Sequence, residues 1–350
     1  MHVGAANNGG LATRSCEATL SWGAQTVVVA PGTWEVDLDA FGVDLGMGAP
    51  VAAFQVKKSD SECCTTYLLY SLQKPPRLLR TLTGGSSFRA SDIDLDTRVE
   101  IWTDDAAALD GFENLAGSEF DSLPPVVLRF EDNRLLDVGP QFQPHYDHLI
   151  AELKARFEPR DLKDFNSSDG RLAAGTASTP ERMHRLRRVK IGVLEIVWSY
   201  LNSGREKEGW SALRDLWPAT DLERVRAAIV KARERGVHAQ GDGVAPPAHK
   251  KKRATIYDLT MSQGDQSEVV SPQPILLRRP PPPASQLGVA RAETSVDLII
   301  DSAGKVRSAE SVNSIDADLI DAAMGWKFIP AQRGGQAVAS RTRLAVSAKR

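Results

Sequence analysis

The chain has 350 residues, 42% of them hydrophobic and 25% charged, with a net charge of −2. That length exceeds the usual single hydrophobic core, so roughly two or three domains are expected, and the near-neutral balance predicts neither a nucleic-acid partner nor attraction to a membrane surface. No stretch approaches the roughly 18 apolar residues of a membrane-spanning helix, and the opening MHVGAANNGGLATRSC lacks a charged segment followed by an apolar one, so no anchor or export signal is predicted.

Residues 1–143 read as a β-rich domain. TVVVA, TWEVDLDAF, VAAFQVKK, TTYLLYSL, RLLRTL, VEIWT and PVVLRFED are short β-branched and aromatic runs separated by Gly, Pro, Asp or Ser. Spacing of this kind suggests an antiparallel meander or sandwich. Cys16, Cys63 and Cys64 allow one disulfide and one remaining thiol. A Cys16 bridge to Cys63 or Cys64 would suit an oxidising compartment, with buried free thiols as the alternative.

Within this half, DIDLDTRVE puts Asp92, Asp94, Asp96 and Glu100 at positions 1, 3, 5 and 9. Carboxylates so spaced can offer oxygen ligands to a hard cation such as calcium on one side of a tight loop. With the strand VEIWT behind it, the loop resembles those of FG-GAP or VCBS propeller blades, which implies calcium. Thr97 stands where that pattern has glycine.

Residues 144–238 carry helical periodicity. Leu149, Ile150, Leu153 and Phe157 share one face, and His145 and His148 stand at i, i+3 as surface histidines. A second helix should start at Thr179 as N-cap with Pro180 at its first position. REKEGWSALRDLW is a third, stopped by Pro218, and Thr220 with Glu223 suggests a capping box for a fourth that Gly236 ends. Residues 239–287, with HKKKR and a run of prolines at 280–283, read as an extended, solvated Pro-rich linker.

From residue 288 the order becomes strand, turn at Gly304, strand, helix, strand. Leu319, Ile320, Ala323 and Met324 share a helical face, Pro330 stops the chain's course, and Gly334-Gly335 turns it into a last strand. A three-stranded antiparallel sheet with one helix across it is the economical packing. The expected fold class is thus an α+β multidomain chain: β-rich at 1–143, helical at 144–238, linker at 239–287 and ββαβ at 288–350.

Residues 272–350 resemble the C-terminal domain of TonB energy-transducer proteins. The resemblance rests on Asp301, Gly304, Lys305, Val306, Leu319, Ala322, Ala323, Trp326, Phe328, Pro330, Ala331, Gly334 and Val338. The residue before the first strand is Glu293 where the family has glycine, and no tyrosine precedes it among the prolines. The resemblance implies a periplasmic, cell-envelope location and contact with an outer-membrane or periplasmic protein, in the manner of energy transduction for transport. Trp326 and Phe328 are expected to seal helix against sheet, with Gly304 and Pro330 shaping the turns. The last strand, with Val338, Ser340, Thr342, Leu344 and Val346, is expected to be an open edge for a partner strand. No nucleophile comes with a recognisable base, and no Gly-rich phosphate loop follows a strand, so no enzyme is expected. The alternative reading is a calcium-stabilised, ligand-binding β-rich module with the TonB-like end as a docking tag.

Overall fold

A computed structural model describes residues 2–5, 15–60, 63–172, 179–246, 254–260, 268–277, 294–312 and 317–346. It is an α+β architecture with a β-rich first part, a central helical stretch and further strands at the C-terminal end. Three sheets make up the first part. β1 (His2–Ala5), β2 (Cys16–Trp22) and β3 (Gln25–Thr33) form one, and β4 (Glu35–Asp44), β5 (Pro50–Lys57), β6 (Thr65–Ser71) and β7 (Arg77–Gly85) form an antiparallel meander. The third contains β8 (Arg89–Ser91), β9 (Glu100–Asp104), β10 (Pro125–Glu131) and β11 (Arg134–Asp137).

The β4–β7 meander is the middle layer, which explains the unbroken apolar run in β5. Ala52 and Phe54 face Leu20 and Ala30 of the first sheet, whereas Val51 and Ala53 face Phe88, Ile101 and Leu128 of the third. A strand covered on both faces needs no polar alternation. The far face of the third sheet, through Val127, Leu136 and Val138, carries the helices.

Those helices are α1 (Ala106–Leu109), α2 (Gln143–Ala155), α3 (Pro159–Asn166), α4 (Pro180–Asn202), α5 (Glu206–Leu216) and α6 (Leu222–Arg233). Thr179 caps α4 as expected, its hydroxyl accepting the Arg182 N–H at 3.2 Å. From Val189 to Ser199 α4 is buried on every face, so it is the central pillar of the helical core with Trp198, Leu213, Trp217 and Ile229. The Thr220–Glu223 capping box does not form. A 3-10 turn runs through Ala219–Asp221, and Asp221 takes the N-cap place of α6 while its carboxylate receives Trp217 Nε1 at 3.0 Å and Arg224 Nε at 2.6 Å.

The expected linker is corrected in part. Among its described residues, β12 (Gly243–Val244) extends the third sheet beside β11, while β13 (Tyr257–Asp258), β14 (Val269–Val270) and β15 (Gln273–Leu276) each pair with the C-terminal part. Backbone groups in a proline-rich segment still need hydrogen-bond partners, and sheet edges supply them. The HKKKR run lies outside the described residues. The expected Cys16 bridge is corrected too: Cys63 and Cys64 are bonded to each other, and the Cys16 thiol donates to the Trp34 carbonyl at 3.5 Å.

The C-terminal part contains β16 (Thr294–Ile300), β17 (Val306–Ser311), α7 (Ala317–Met324), β18 (Lys327–Ile329), β19 (Ala331–Arg333), β20 (Gln336–Val338) and β21 (Ser340–Val346). β16 is central, with β17 and β21 antiparallel on its two sides, and β13 adds parallel outside β21. Leu319 and Ala323 of α7, Trp326 and Phe328 pack with Val296, Leu298, Ile300 and Val306. Ile320 is only half-buried and Met324 is 40% exposed, so the apolar face of α7 is narrower than its sequence suggests. No helix among the described residues is long and apolar enough to cross a membrane.

Candidate metal centre and the seam beside it

The acidic loop is the connection of a hairpin. β8 and β9 pair antiparallel with Ser91 opposite Glu100, so Asp92, leaving one strand, meets Glu100, entering the other. The turn between them uses left-handed backbone at Leu95 (φ 57°) and Thr97 (φ 72°). Thr97 therefore adopts the conformation for which glycine is usual, at a cost the surrounding bonds must offset. Asp92 organises those bonds: Oδ1 accepts the Asp96 N–H at 2.9 Å, and Oδ2 accepts the Thr97 N–H at 3.0 Å and the Ser302 hydroxyl at 2.8 Å.

Asp92, Asp94 and Glu100 each present a carboxylate oxygen within 4.8 Å of the others, a buried cluster capable of coordinating a metal ion. Asp96, placed by spacing in the same set, is drawn off by Arg98, whose Nη2 and Nε lie 2.8 and 3.1 Å from its Oδ2. Glu100 is fully buried; its Oε1 meets Arg129 Nη1 at 3.2 Å, while its Oε2 accepts no hydrogen bond. Burial, with the nearby Asp94 charge, pushes the Glu100 carboxyl up to about 8 against the pull of Arg129. Asp92 is pushed up to about 6, again chiefly by burial. Carboxyls crowded in this way resist ionisation until a cation supplies opposing charge. The orphaned Glu100 oxygen is the feature that fits a metal, and three carboxylates would supply part of the roughly six to eight oxygens that calcium takes.

Beside the cluster runs a seam that the sequence did not reveal. Asp301 Oδ2 accepts the Ser91 hydroxyl at 2.9 Å and the Asp92 N–H at 3.1 Å, while Oδ1 accepts the Ala303 and Lys305 N–H groups. Lys305, 4% exposed, pairs with Asp39 Oδ1 at 2.5 Å and also donates to the Asp39 carbonyl. Asp39 further receives the Tyr67 hydroxyl at 2.6 Å and the Ala90 N–H at 2.8 Å. One step along the same strand face, Lys327 Nζ lies 2.5 Å from Asp37 Oδ2. Acids at alternate positions of β4 thus match two lysines of the C-terminal part.

The remaining sequence-predicted residues are distributed as follows. Gly304 has φ 80°, and a Cβ there would lie 1.9 Å from the Phe328 oxygen. Trp326, Phe328 and Pro330 are buried. Val338 belongs to β20, whereas Ser340, Thr342, Leu344 and Val346 belong to β21, the seven residues of which pair with β16. The outer edge of β21 is only partly open: Tyr257 and Leu259 donate N–H groups to the Ala339 and Arg341 carbonyls at 3.0 and 2.7 Å. His145 rests edge-on against Trp102, and His148 faces Glu152 at 3.3 Å, so the pair shares no ligand position.

The chain matches no family model, no characterised protein and no solved structure among those with which it was compared.

Proposed function

We propose that this chain is a non-enzymatic, periplasmic cell-envelope protein whose C-terminal part, resembling TonB C-terminal domains in sequence, contacts an outer-membrane or periplasmic protein and couples to outer-membrane transport. The observation that carries the reading is the free length of β21. Ala339 and Arg341 turn their carbonyls outward to Tyr257 and Leu259, so by the period-two alternation of a strand Arg343 and Ala345 face the same outer edge. Among the described residues no strand pairs with that edge beyond Arg341. A partner strand there gains main-chain bonds in register with those already made by β13. Ala345→Pro removes an outward N–H and leaves the inward bonds to β16 in place. Full-length chain mixed with a detergent extract of cell envelopes should retain an outer-membrane barrel protein, and the proline variant should lose it. Failure of the unmutated chain to retain any, or equal retention by the variant, refutes the reading.

A second reading is favoured by the buried Asp92, Asp94 and Glu100 cluster: a calcium-stabilised, ligand-binding β-rich module for which the C-terminal part is a docking tag. Calcium is the hard cation suited to carboxylates in a loop of flexible radius, whereas magnesium demands a stricter octahedron. Millimolar calcium should raise the melting temperature more than magnesium does, and Asp94→Ala should abolish the rise. A chain whose melting is indifferent to calcium has no such site.

A further inference from the structure

A cavity of about 240 Å³ opens in the helical part, between the C-terminal end of α2, the start of α3 and the side of α4 that carries Gly192 and Glu195. At about 30 Å³ per water, it has room for roughly eight. Its apolar walls are Leu153, Phe157 and Val189. Its inner end is Glu195, 1% exposed, in the middle of the otherwise apolar run Ile191 to Trp198. An acid within such a run is the sequence signal that could have marked the site.

Around the mouth most charges are matched, Arg156 with Asp121 at 3.6 Å, Arg185 with Asp161 at 3.2 Å and Arg187 with Glu119 at 2.6 Å, while Arg188 also lines it. Glu195 differs. Its Oε1 accepts the Ser122 N–H at 3.0 Å and the Arg156 charge acts on it from nearby, but no basic side chain among the described residues forms an ion pair with it. Phe157 lies across Gly192, so close that a Cβ there would sit 2.8 Å from the ring. Gly192 and Glu195 are i, i+3 on one helical face, so the ring and the carboxyl border the same space.

We propose that this cavity binds a small organic monocation, a primary ammonium on an apolar body, with Glu195 as counter-ion and the Phe157 ring as a second attractive surface. An ammonium donates to a carboxylate in a charge-assisted bond and is attracted to an aromatic face. A metal ion is a poorer fit, since one carboxyl at the inner end cannot supply a full oxygen shell. Burial holds the Glu195 carboxyl up near about 7, and a bound cation would favour its ionised form. The proposal is independent of the strand-edge and calcium readings, because neither involves these residues.

The test is calorimetric titration of the full chain with benzylamine, alongside benzyl alcohol and benzoate as neutral and anionic analogues of similar shape. Benzylamine should bind at one site and more tightly than either analogue. Glu195→Gln should weaken it at least tenfold and Phe157→Leu severalfold, with circular dichroism unchanged. Preferential binding of benzoate, which Arg188 at the mouth would favour, overturns the proposal. So does benzylamine binding that is absent, or that Glu195→Gln leaves intact. The comparison of the three analogues needs no variant, so a misfolded Glu195→Gln chain would still leave the proposal open to refutation.

Discussion

Replacing Lys305 by methionine keeps the length of the side chain and removes its charge. Lys305 is 4% exposed, and its ammonium is bonded to Asp39 through both carboxylate and carbonyl oxygens. Burial pushes the lysine's proton affinity down while Asp39 holds it up. In the variant Asp39, itself 4% exposed, keeps only the Tyr67 hydroxyl and the Ala90 N–H. Removing one partner of a buried pair typically costs about 3–5 kcal/mol, because the other charge stays buried without compensation. A double variant with Asp39→Asn should recover about 2 kcal/mol of that loss, since the stranded charge is gone. Urea unfolding of the three variants supplies the cycle, and hydrogen exchange shows where the loss falls: amides of β16, β17 and β21 should lose protection before those of β5 and β6. A Lys305→Met cost below about 1 kcal/mol, with C-terminal protection unchanged, would show that this pair does not hold the seam.

Trp326→Ala should cost about 3–5 kcal/mol, because the ring is 1% exposed in the small C-terminal core; a folded variant that loses only partner capture would make the tryptophan a contact residue. Gly304→Ala should destabilise by about 2 kcal/mol or more, from the left-handed φ of 80° and the overlap with the Phe328 carbonyl, and a neutral result in thermal melting would contradict that geometry. For Glu195 burial raises the pKa from 4.5 to about 7. The folded chain then holds a proton that the unfolded chain has released, so stability falls as pH rises through that window, by up to roughly 3 kcal/mol. Urea titrations at pH 4.5 and pH 7.5 should show a smaller difference for Glu195→Gln than for the unmutated chain, and identical differences would place the shift elsewhere.

Local order was largely legible in the residues themselves. The strand runs of the first half, the Thr179-Pro180 helix start, and the strand, turn, strand, helix order from residue 294 to 324 depend on near-neighbour chemistry, periodicity, caps and left-handed glycines, whereas the single strand expected after the helix is four strands, β18 to β21. The carboxylates of the acidic loop were legible too, since a hairpin brings its two ends together whatever surrounds it. Only the tertiary structure decided which of them face one another, because Asp96 is claimed by Arg98 and the cluster is Asp92, Asp94 and Glu100. It also decided the fate of the proline-rich segment, whose extended backbone reads as solvated until a sheet edge receives it. The same holds for Asp37 and Asp39, which pair with lysines 290 and 266 residues further along the chain. Glu195 is a further case, since the same carboxyl would be an ordinary surface acid had α4 not become the buried pillar of the helical part. Charges that meet across long sequence separations leave no periodic trace, because their partner is fixed by how finished elements dock and not by the residues beside them.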